Sequence, residues 1–274
     1  MDISQIIPDL FISSPTNPRI KHVVRLRDRR YRDRNNETII EGFRELKQAL
    51  HSGHKIKIVF YCIPFFLGEN EDALLGEAVK GGVLLIETSR DVFEKLSYRD
   101  RPDGLLGVGK KVNLPLSNLT FRSNNPLLLI AESIEKPGNL GSILRSADGA
   151  GLDAVIVCDP KTDINNPNVV RASIGTLFKI PVVESSCQAL CDFLREKGIK
   201  WIASSPKSSK LYWQADFRDP VAIVVGSEQY GLDDYWLEAG EPVRIPMLGS
   251  ADSLNVATAA SLLVYEAIRQ RQGA

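Results

Sequence analysis

Val243-Arg-Ile-Pro-Met-Leu-Gly-Ser-Ala-Asp-Ser-Leu-Asn-Val-Ala-Thr-Ala-Ala-Ser261 is the stretch that decides the fold of the second half of this chain. A strand over residues 243–245 meets a proline and a polar loop. A helix then begins with Asp252 or Ser253 as its N-cap, because their side-chain oxygens can accept free N–H groups. Such a junction offers unpaired backbone N–H groups to a ligand. An ordinary loop between a strand and a helix has the same pattern, so this stretch alone leaves both interpretations open.

The composition of the whole chain indicates a globular protein without a membrane anchor. A chain of 274 residues is long enough for two domains, and its 43% apolar and 25% charged residues are ordinary for a globular protein. Basic and acidic residues balance at 34 each, so no overall field favours nucleic acid. No apolar run has the length of a membrane span, and the N-terminus Met-Asp-Ile-Ser lacks the layout of a signal peptide. We therefore expect a cytoplasmic protein that does not contact a membrane.

Cysteine and histidine show no metal-binding pattern. The three histidines all lie at or before position 54, so the rest of the chain has none to act as a base or a zinc ligand. No two cysteines have C-x-x-C spacing, which favours buried or surface thiols over ligands. The cysteines are Cys62, Cys158, Cys187 and Cys191. We expect no metal site.

Residues 17–34 concentrate positive charge, with eight Lys or Arg against two acidic residues. A thin apolar stripe predicts a helix here whose other faces are basic. Such a surface suits the phosphates of RNA, whereas a solvated charged helix is the alternative interpretation. The candidate RNA-contacting residues of this segment are Arg19, Lys21, Arg25, Arg29 and Arg32.

Strands and helices alternate along the chain in two series. A polar, proline-interrupted connection over residues 110–125 separates them, which predicts an N-terminal domain at 1–110 and a C-terminal domain at 118–274. The first series predicts a small α/β/α domain. In the second series the strands are almost entirely apolar, which predicts a mostly parallel sheet with helices on both faces. A helix over residues 169–178 is expected within this second series.

Two further stretches place polar residues at predicted strand and helix ends. Pro137-Gly-Asn-Leu-Gly-Ser-Ile-Leu-Arg145 opens a helix that Asn139 can cap, and the spacing lets Asn139 and Arg145 face one pocket. In Ala222-Ile-Val-Val-Gly-Ser-Glu-Gln-Tyr-Gly-Leu-Asp233, Gly226 ends a buried strand and permits close approach to the backbone. Glu228 either lines a ligand site beside Gly226 or caps a helix.

Together the three stretches resemble the signature motifs of the SpoU-type branch of the SPOUT RNA methyltransferases, which use S-adenosylmethionine. This resemblance covers the chain from about residue 126 to its end. The first domain, with Glu41-Gly-Phe-Arg-Glu-Leu46 and Asp103-Gly-Leu-Leu-Gly-Val108, resembles the ribosomal-protein L30e-like RNA-binding domain often attached to this family. The basic opening is most similar to the thiostrepton-resistance type of rRNA methyltransferase.

The resemblance implies an α/β fold with a C-terminal trefoil knot, a homodimer, and methylation of a ribose 2′-hydroxyl, with ribosomal RNA as the expected substrate. It implies that Arg171 binds a phosphate. The residues implied for the reacting centre are Asn139, Arg145, Glu228, Ser253 and Asn255. Those implied to hold S-adenosylmethionine are Val225, Gly226, Ser227, Ile245, Met247, Ser253, Leu254 and Asn255.

Some details stay open at this stage. Ser227 and Ala257 stand where the family more often has asparagine and serine. Arg145 is the family's suggested base, yet a guanidinium stays protonated, so stabilising a developing alkoxide is physically easier. The alternatives are a transfer RNA substrate, a base nitrogen target, a non-catalytic RNA-binding assembly factor, and a dinucleotide enzyme. No G-x-G-x-x-G follows a predicted strand, which argues against the last of these.

Overall fold

The structure, a computed structural model, describes residues 7–273. Residues 1–6, which include the N-terminal stretch considered above, and residue 274 lie outside the described part. The chain divides into two compact units. The first comprises the described residues up to Val112 together with Asn165–Lys179, and the second comprises Asn113–Ile164 and the described residues from Ile180 onward. Within residues 7–273, no helix is long and apolar enough to cross a membrane.

Both units are built from strands and helices in alternation. The strands are β1 (Leu10–Ile12), β2 (Glu37–Glu41), β3 (Ile56–Tyr61), β4 (Leu84–Thr88), β5 (Leu105–Lys110), β6 (Leu127–Glu132), β7 (Ala154–Cys158), β8 (Val182–Ser185), β9 (Lys200–Ser204), β10 (Val221–Val225) and β11 (Glu241–Val243). The α-helices are α1 (Pro18–Arg25), α2 (Arg29–Asn35), α3 (Phe43–His51), α4 (Glu71–Lys80), α5 (Arg90–Leu96), α6 (Pro137–Gly149), α7 (Pro167–Ala172), α8 (Cys187–Glu196), α9 (Asp234–Ala239) and α10 (Val256–Arg271).

The first unit contains a five-stranded mixed sheet in the order β1-β4-β3-β5-β2. Strand β5 runs antiparallel to both β2 and β3, whereas β1, β3 and β4 are parallel. The basic segment forms two short helices rather than the single predicted one. The reason is Asp28, whose side chain accepts from Tyr31 N at 2.9 Å and caps a new helix, α2. Ile20 and Leu26 are fully buried in the core of this unit.

The segment from Asn165 to Lys179 lies between two strands of the second sheet in sequence but packs within the first unit. Helix α7 packs against β2. Asn165 exchanges two hydrogen bonds with the Val112 main chain, at 2.8 and 2.9 Å. The predicted helix over 169–178 is interrupted, because Ile174 and Gly175 both have positive φ, at 55° and 79°. A short 3₁₀ turn follows.

The second unit contains a six-stranded sheet in the order β11-β9-β10-β6-β7-β8, in which every neighbouring pair is parallel. Strands β6, β7 and β10 are buried along their whole length. Helix α10 packs against α6 and β10. The prediction of a mostly parallel, helix-covered sheet is confirmed. Since β6 and β10 are neighbours, the loops that follow them begin at one edge of the sheet.

Candidate active site

Three polar side chains meet near the carboxyl ends of β6 and β10. Asn139 lies in the first turn of α6, Glu228 follows β10, and Asn255 precedes α10. The Glu228 Oε1 atom accepts hydrogen bonds from Asn139 Nδ2 at 2.9 Å and from Asn255 Nδ2 at 2.7 Å. Asn255 Nδ2 also donates to Asn139 Oδ1 at 3.0 Å. The structure thus joins three residues that are far apart in sequence, all predicted for the reacting centre, into one network.

Lys136 completes this network, and sequence reasoning missed it. Its Nζ forms an ion pair with Glu228 Oε2. Hydrogen bonds from Lys136 and then from Asn139 hold the pKa of Glu228 below its usual value, and the carboxylate in turn raises the pKa of Lys136. Glu228 is therefore an ionised carboxylate that accepts from three side chains, those of Lys136, Asn139 and Asn255. The signal in the sequence was the position of Lys136 directly before the Pro-Gly turn.

The helix caps differ from the sequence prediction. Helix α6 begins at Pro137 with Lys136 as its N-cap, so Asn139 lies inside the first turn and its amide is used in the network. Helix α10 begins at Val256, and its N-cap is Asn255 rather than Asp252 or Ser253. The Asn255 side chain serves two purposes, since its Oδ1 accepts from Ala257 N at 3.0 Å while its Nδ2 reaches Glu228.

The turn after β10 is held in a tight conformation. A Cβ atom on Gly226 would lie only 2.3 Å from the Gly231 carbonyl oxygen, so no larger residue fits there. The Gly231 N–H donates to the Ser227 carbonyl at 3.0 Å, and Tyr230 N donates to Ser227 Oγ at 3.0 Å. This turn presents Glu228 from a fixed backbone. Ser227 itself is buried, with its hydroxyl occupied inside the turn.

Glu132, at the end of β6, supports the same region and was not predicted from the sequence. Its carboxylate is buried and accepts from Trp236 Nε1 at 2.7 Å and from Asp233 N at 3.2 Å. Burial raises the pKa of Glu132. These contacts fix the start of α9, which directly follows the turn that carries Glu228. Glu132 is thus a positioning residue, and its burial at the end of an apolar strand gives no sequence signal of that role.

The loop between β11 and α10 leaves its main chain free. Within the described part of the chain, no backbone N–H or C=O of residues 245–254 takes part in a hydrogen bond. Unpaired backbone groups at the carboxyl ends of parallel strands are the usual contacts for a ligand. The residues predicted to hold the cofactor here are Ile245, Met247 and Leu254, which are half-buried, and Ser253, which is exposed; Val225 is buried at the end of β10.

Arg145 lies on the exposed side of α6 and does not join the network. In the portion of the chain that is described, its guanidinium makes no hydrogen bond or ion pair. The buried face of α6 consists instead of apolar residues such as Leu140 and Leu144. The predicted convergence of Asn139 and Arg145 on one pocket is therefore not seen within one chain, and the role of Arg145 stays a prediction.

Cysteines that are distant in sequence come together at the end of β7. The ligand atoms of Cys158, Asp159 and Cys187 all lie within 4.8 Å of one another, and Cys187 Sγ is 3.9 Å from Cys191 Sγ. A search for C-x-x-C spacing misses this group, because Cys158 and Cys187 are distant in sequence. Burial raises the pKa of Cys158, and it raises the pKa of Cys187 to about 12. A bound cation would itself lower these pKa values, so they do not decide the matter and the absence of a metal site stays a prediction.

The residues predicted to contact RNA have different environments. Arg32 is only 2% exposed, and its Nη1 donates to the Leu26 and Arg27 carbonyls at 2.7 and 2.8 Å. A guanidinium held in this way stabilises the turn between α1 and α2, so we remove Arg32 from the RNA-contacting set. The remaining predicted residues are exposed, and they are Arg19, Lys21, Arg25, Arg29 and Arg171.

Comparison with known proteins agrees with this geometry. Residues 126–265, half of the chain, match the SpoU rRNA Methylase family. The chain belongs to this family. Residues 17–107 match the MRM3-like substrate binding domain. The resemblance inferred from the three motifs is therefore confirmed.

Individual family members match along almost the whole chain. RlmP, the 23S rRNA (guanosine(2553)-2′-O)-methyltransferase of Bacillus subtilis, is 29% identical over 255 residues, which span 93% of this chain and 97% of RlmP. A solved RNA 2′-O ribose methyltransferase is 40% identical with a TM-score of 0.83, covering 96% of this chain and 99% of that one. The AdoMet-bound rRNA methyltransferase of Sinorhizobium meliloti is 30% identical with a TM-score of 0.85, covering 95% and 98%.

Proposed function

We propose that this chain transfers the methyl group of S-adenosylmethionine to a ribose 2′-hydroxyl of ribosomal RNA. The observation that carries the proposal is the Asn139–Glu228–Asn255 network at the carboxyl edge of the second sheet. The family match and the relatives that act on rRNA support it. An intact network also argues against an assembly factor that has lost its chemistry.

The described residues fit S-adenosylmethionine. The loop of residues 245–254 offers unpaired backbone groups to its polar parts, and half-buried Ile245, Met247 and Leu254 offer apolar surface to its adenine. Isothermal titration with a chelator present should show one S-adenosylmethionine bound per chain. A folded protein that produces no heat of binding would rule out the proposed cofactor.

The chain's own residues have separate roles in this proposal. Bound S-adenosylmethionine would supply an electrophilic methyl group. Glu228 fixes the amides of Asn139 and Asn255. In this proposal the two amides orient the ribose that carries the reacting hydroxyl. Arg145, whose guanidinium has no hydrogen bond or ion pair to any described residue, would stabilise the negative charge that develops as the hydroxyl passes its proton to water and its oxygen takes the methyl group from sulfur.

We further propose that α1 and α2 supply part of the affinity for RNA through their exposed arginines. Replacing Arg25, Arg29 and Arg30 with alanine should weaken RNA binding and flatten the dependence of log K on log salt by up to about two units, since each phosphate contact on single-stranded RNA contributes about 0.7. Affinity for S-adenosylmethionine should not change. An unaltered salt slope would show that this face is only solvated.

The small residues at 257–261 would let a second copy pack closely on α10, but the structure uses this face within one chain. Ala260 is fully buried and Ser261 Oγ bonds Ser146 Oγ at 2.8 Å, so that face packs on α6 within one chain. The exposed apolar residues of α10 are Leu262 and Tyr265, at 40% and 54% exposure, beside a cavity of about 360 Å³ that Tyr212 also lines. We propose that a second copy covers this surface.

Light scattering of the full chain should therefore give twice the 30.3 kDa chain mass. Leu262→Glu should yield a folded monomer, because it places a charge in an apolar interface. Ala189→Glu, which places the same charge at an exposed position of α8, is the matched control. A dimer that persists in Leu262→Glu would move the interface elsewhere.

The trefoil knot and the cytoplasmic location also remain proposals. Strand β11 lies at the outer edge of the sheet beside β9, whereas α10 returns to β10 and α6. This return path supports threading of the C-terminal segment in the manner that the family resemblance implies. Bacterial relatives that methylate 23S rRNA, such as RlmP, support the cytoplasmic location.

A further inference from the structure

A cavity of about 500 Å³ lies within the first unit, away from the residues assigned above except for Arg171. Its lining comes from the start of α3, the loop before α4, the loop between α5 and β5, and the segment around α7. A volume of this size falls within the roughly 300–1,000 Å³ of small-molecule sites and accommodates one nucleotide. The residues used below are Phe43, Arg44, Leu67, Arg99, Arg171 and Ile174.

The acidic residues of this cavity already have partners within the first unit. Arg99 forms ion pairs with Glu45 at 2.8 Å and with Asp103 at 3.5 Å. Both carboxylates are largely buried. The Glu71 carboxylate accepts from the N–H groups of Leu67, Gly68 and Asn70 at 3.0 to 3.1 Å. The lining holds three carboxylates and three guanidinium groups, so its formal charges balance, and the positive charge open to an anion is that of Arg44 and Arg171.

The basic residues at the rim are available. Arg44 is exposed and makes no hydrogen bond or ion pair with any described residue. Arg171 is exposed and uses one nitrogen, Nη2, to reach Asn168 Oδ1 at 3.1 Å. Beside them, Phe43 is half-buried and Leu67 is 80% exposed. Two guanidinium groups next to an apolar wall suit a phosphate with an adjoining base.

Two energetically unfavourable features lie at this cavity: a strained backbone residue and buried polar atoms without hydrogen-bond partners. Ile174 has φ of 55°, and a β-branched residue rarely adopts positive φ. In the described part of the chain only three buried side-chain polar atoms lack a hydrogen-bond partner, and two of them, Arg99 Nε and Asp103 Oδ1, belong to this lining. Strained backbone and unsatisfied buried polar groups concentrate at functional sites, which marks this cavity as more than a packing gap.

We propose that this cavity binds one nucleotide of the substrate RNA, with Arg44 and Arg171 on the phosphate and with Phe43 and Leu67 against the base. The inference rests on the proposed function, because it takes RNA to be the substrate. It adds a second recognition element to the first unit, distinct from the basic faces of α1 and α2. Reading an unpaired nucleotide at this position would select RNA by shape as well as by charge.

The test measures binding of a mixed-sequence single-stranded RNA of about 12 nucleotides to the full chain as a function of salt. Arg44→Ala should weaken binding about tenfold to hundredfold and reduce the salt slope by about 0.7. Leu67→Ala should weaken binding with the slope unchanged, because it removes apolar contact and no charge. Lys80→Ala is the charge-matched control: Lys80 is exposed on α4, outside the cavity, and should stay within about twofold of wild type.

Equal effects of Arg44→Ala and Lys80→Ala would overturn the proposed pocket. An unchanged affinity in Leu67→Ala together with a full effect of Arg44→Ala would also overturn it, because a surface phosphate contact would then suffice. If either of these results is obtained while the wild-type chain methylates ribosomal RNA, the proposed nucleotide pocket is wrong and the proposed function stands. If the wild type neither binds nor methylates RNA, the proposed function fails with it.

Discussion

Replacement of Arg145 by alanine should slow methyl transfer to RNA by about 10²- to 10³-fold, the usual loss when one preorganised charge-stabilising contact is removed. The fold should be unaffected, because within residues 7–273 the exposed Arg145 side chain makes no hydrogen bond or ion pair. Affinity for S-adenosylmethionine should stay within about twofold, since surface substitutions of this kind cost little. Single-turnover kinetics and titration calorimetry measure the two quantities separately.

The control for this variant is Lys161→Ala, which removes a positive charge from another exposed position of the second unit. Arg145→Lys adds a further distinction. A lysine retains the charge without the planar guanidinium, so partial activity would indicate electrostatic stabilisation. Near-normal turnover of Arg145→Ala on its own RNA would remove Arg145 from the mechanism.

Replacement of Glu228 by glutamine should reduce methyl transfer about tenfold to hundredfold, because hydrogen bonds to a charged acceptor are stronger than those to a neutral one. The wild-type carboxylate organises Asn139, Asn255 and Lys136 at once. A glutamine keeps one oxygen but turns an N–H group toward one of these donors. The Asn255 Nδ2 group then loses its charged acceptor, although Asn255 Oδ1 still caps α10.

The pH dependence of the network gives an independent measurement. The pKa of Glu228 is lowered in the folded protein, so its contribution is present above the ordinary carboxyl range of about 4.3 and is lost only as the pH falls through the lowered value. Protonation of Glu228 should therefore cause no loss of activity between about pH 8 and pH 5.

The matched control for Glu228→Gln is Glu238→Gln, at an exposed position of α9. Equal activities of the two glutamine variants would contradict the role of Glu228.

Much of the fold could be predicted because strands and helices have local signatures. Almost entirely apolar runs predicted the parallel strands of the second unit, and β6, β7 and β10 are indeed buried along their whole length. The short strand β1 and the helix α9 have no comparable pattern in the sequence. Each has only three to six residues and is held by tertiary contacts, such as the pairing of Leu10 with Ile86.

The sequence predicted which residues form the site but not which atoms they contact. The motifs named Asn139, Glu228 and Asn255, yet the cap of α10 was misplaced because several polar residues in a row could each serve as an N-cap. Arg32 looked like its basic neighbours in sequence. Only the chain turn between α1 and α2 shows that its guanidinium is buried against two carbonyl groups.

The central claim is most directly tested by incubating the purified chain with S-adenosylmethionine carrying a labelled methyl group and with ribosomal RNA from cells that lack this protein. The RNA is then digested to nucleosides, and the labelled product is identified by mass spectrometry. We expect the label in a single 2′-O-methylated nucleoside, and its loss with Arg145→Ala. Label on a base nitrogen, label only when transfer RNA replaces ribosomal RNA, or no label from a protein that binds S-adenosylmethionine would contradict the proposed function.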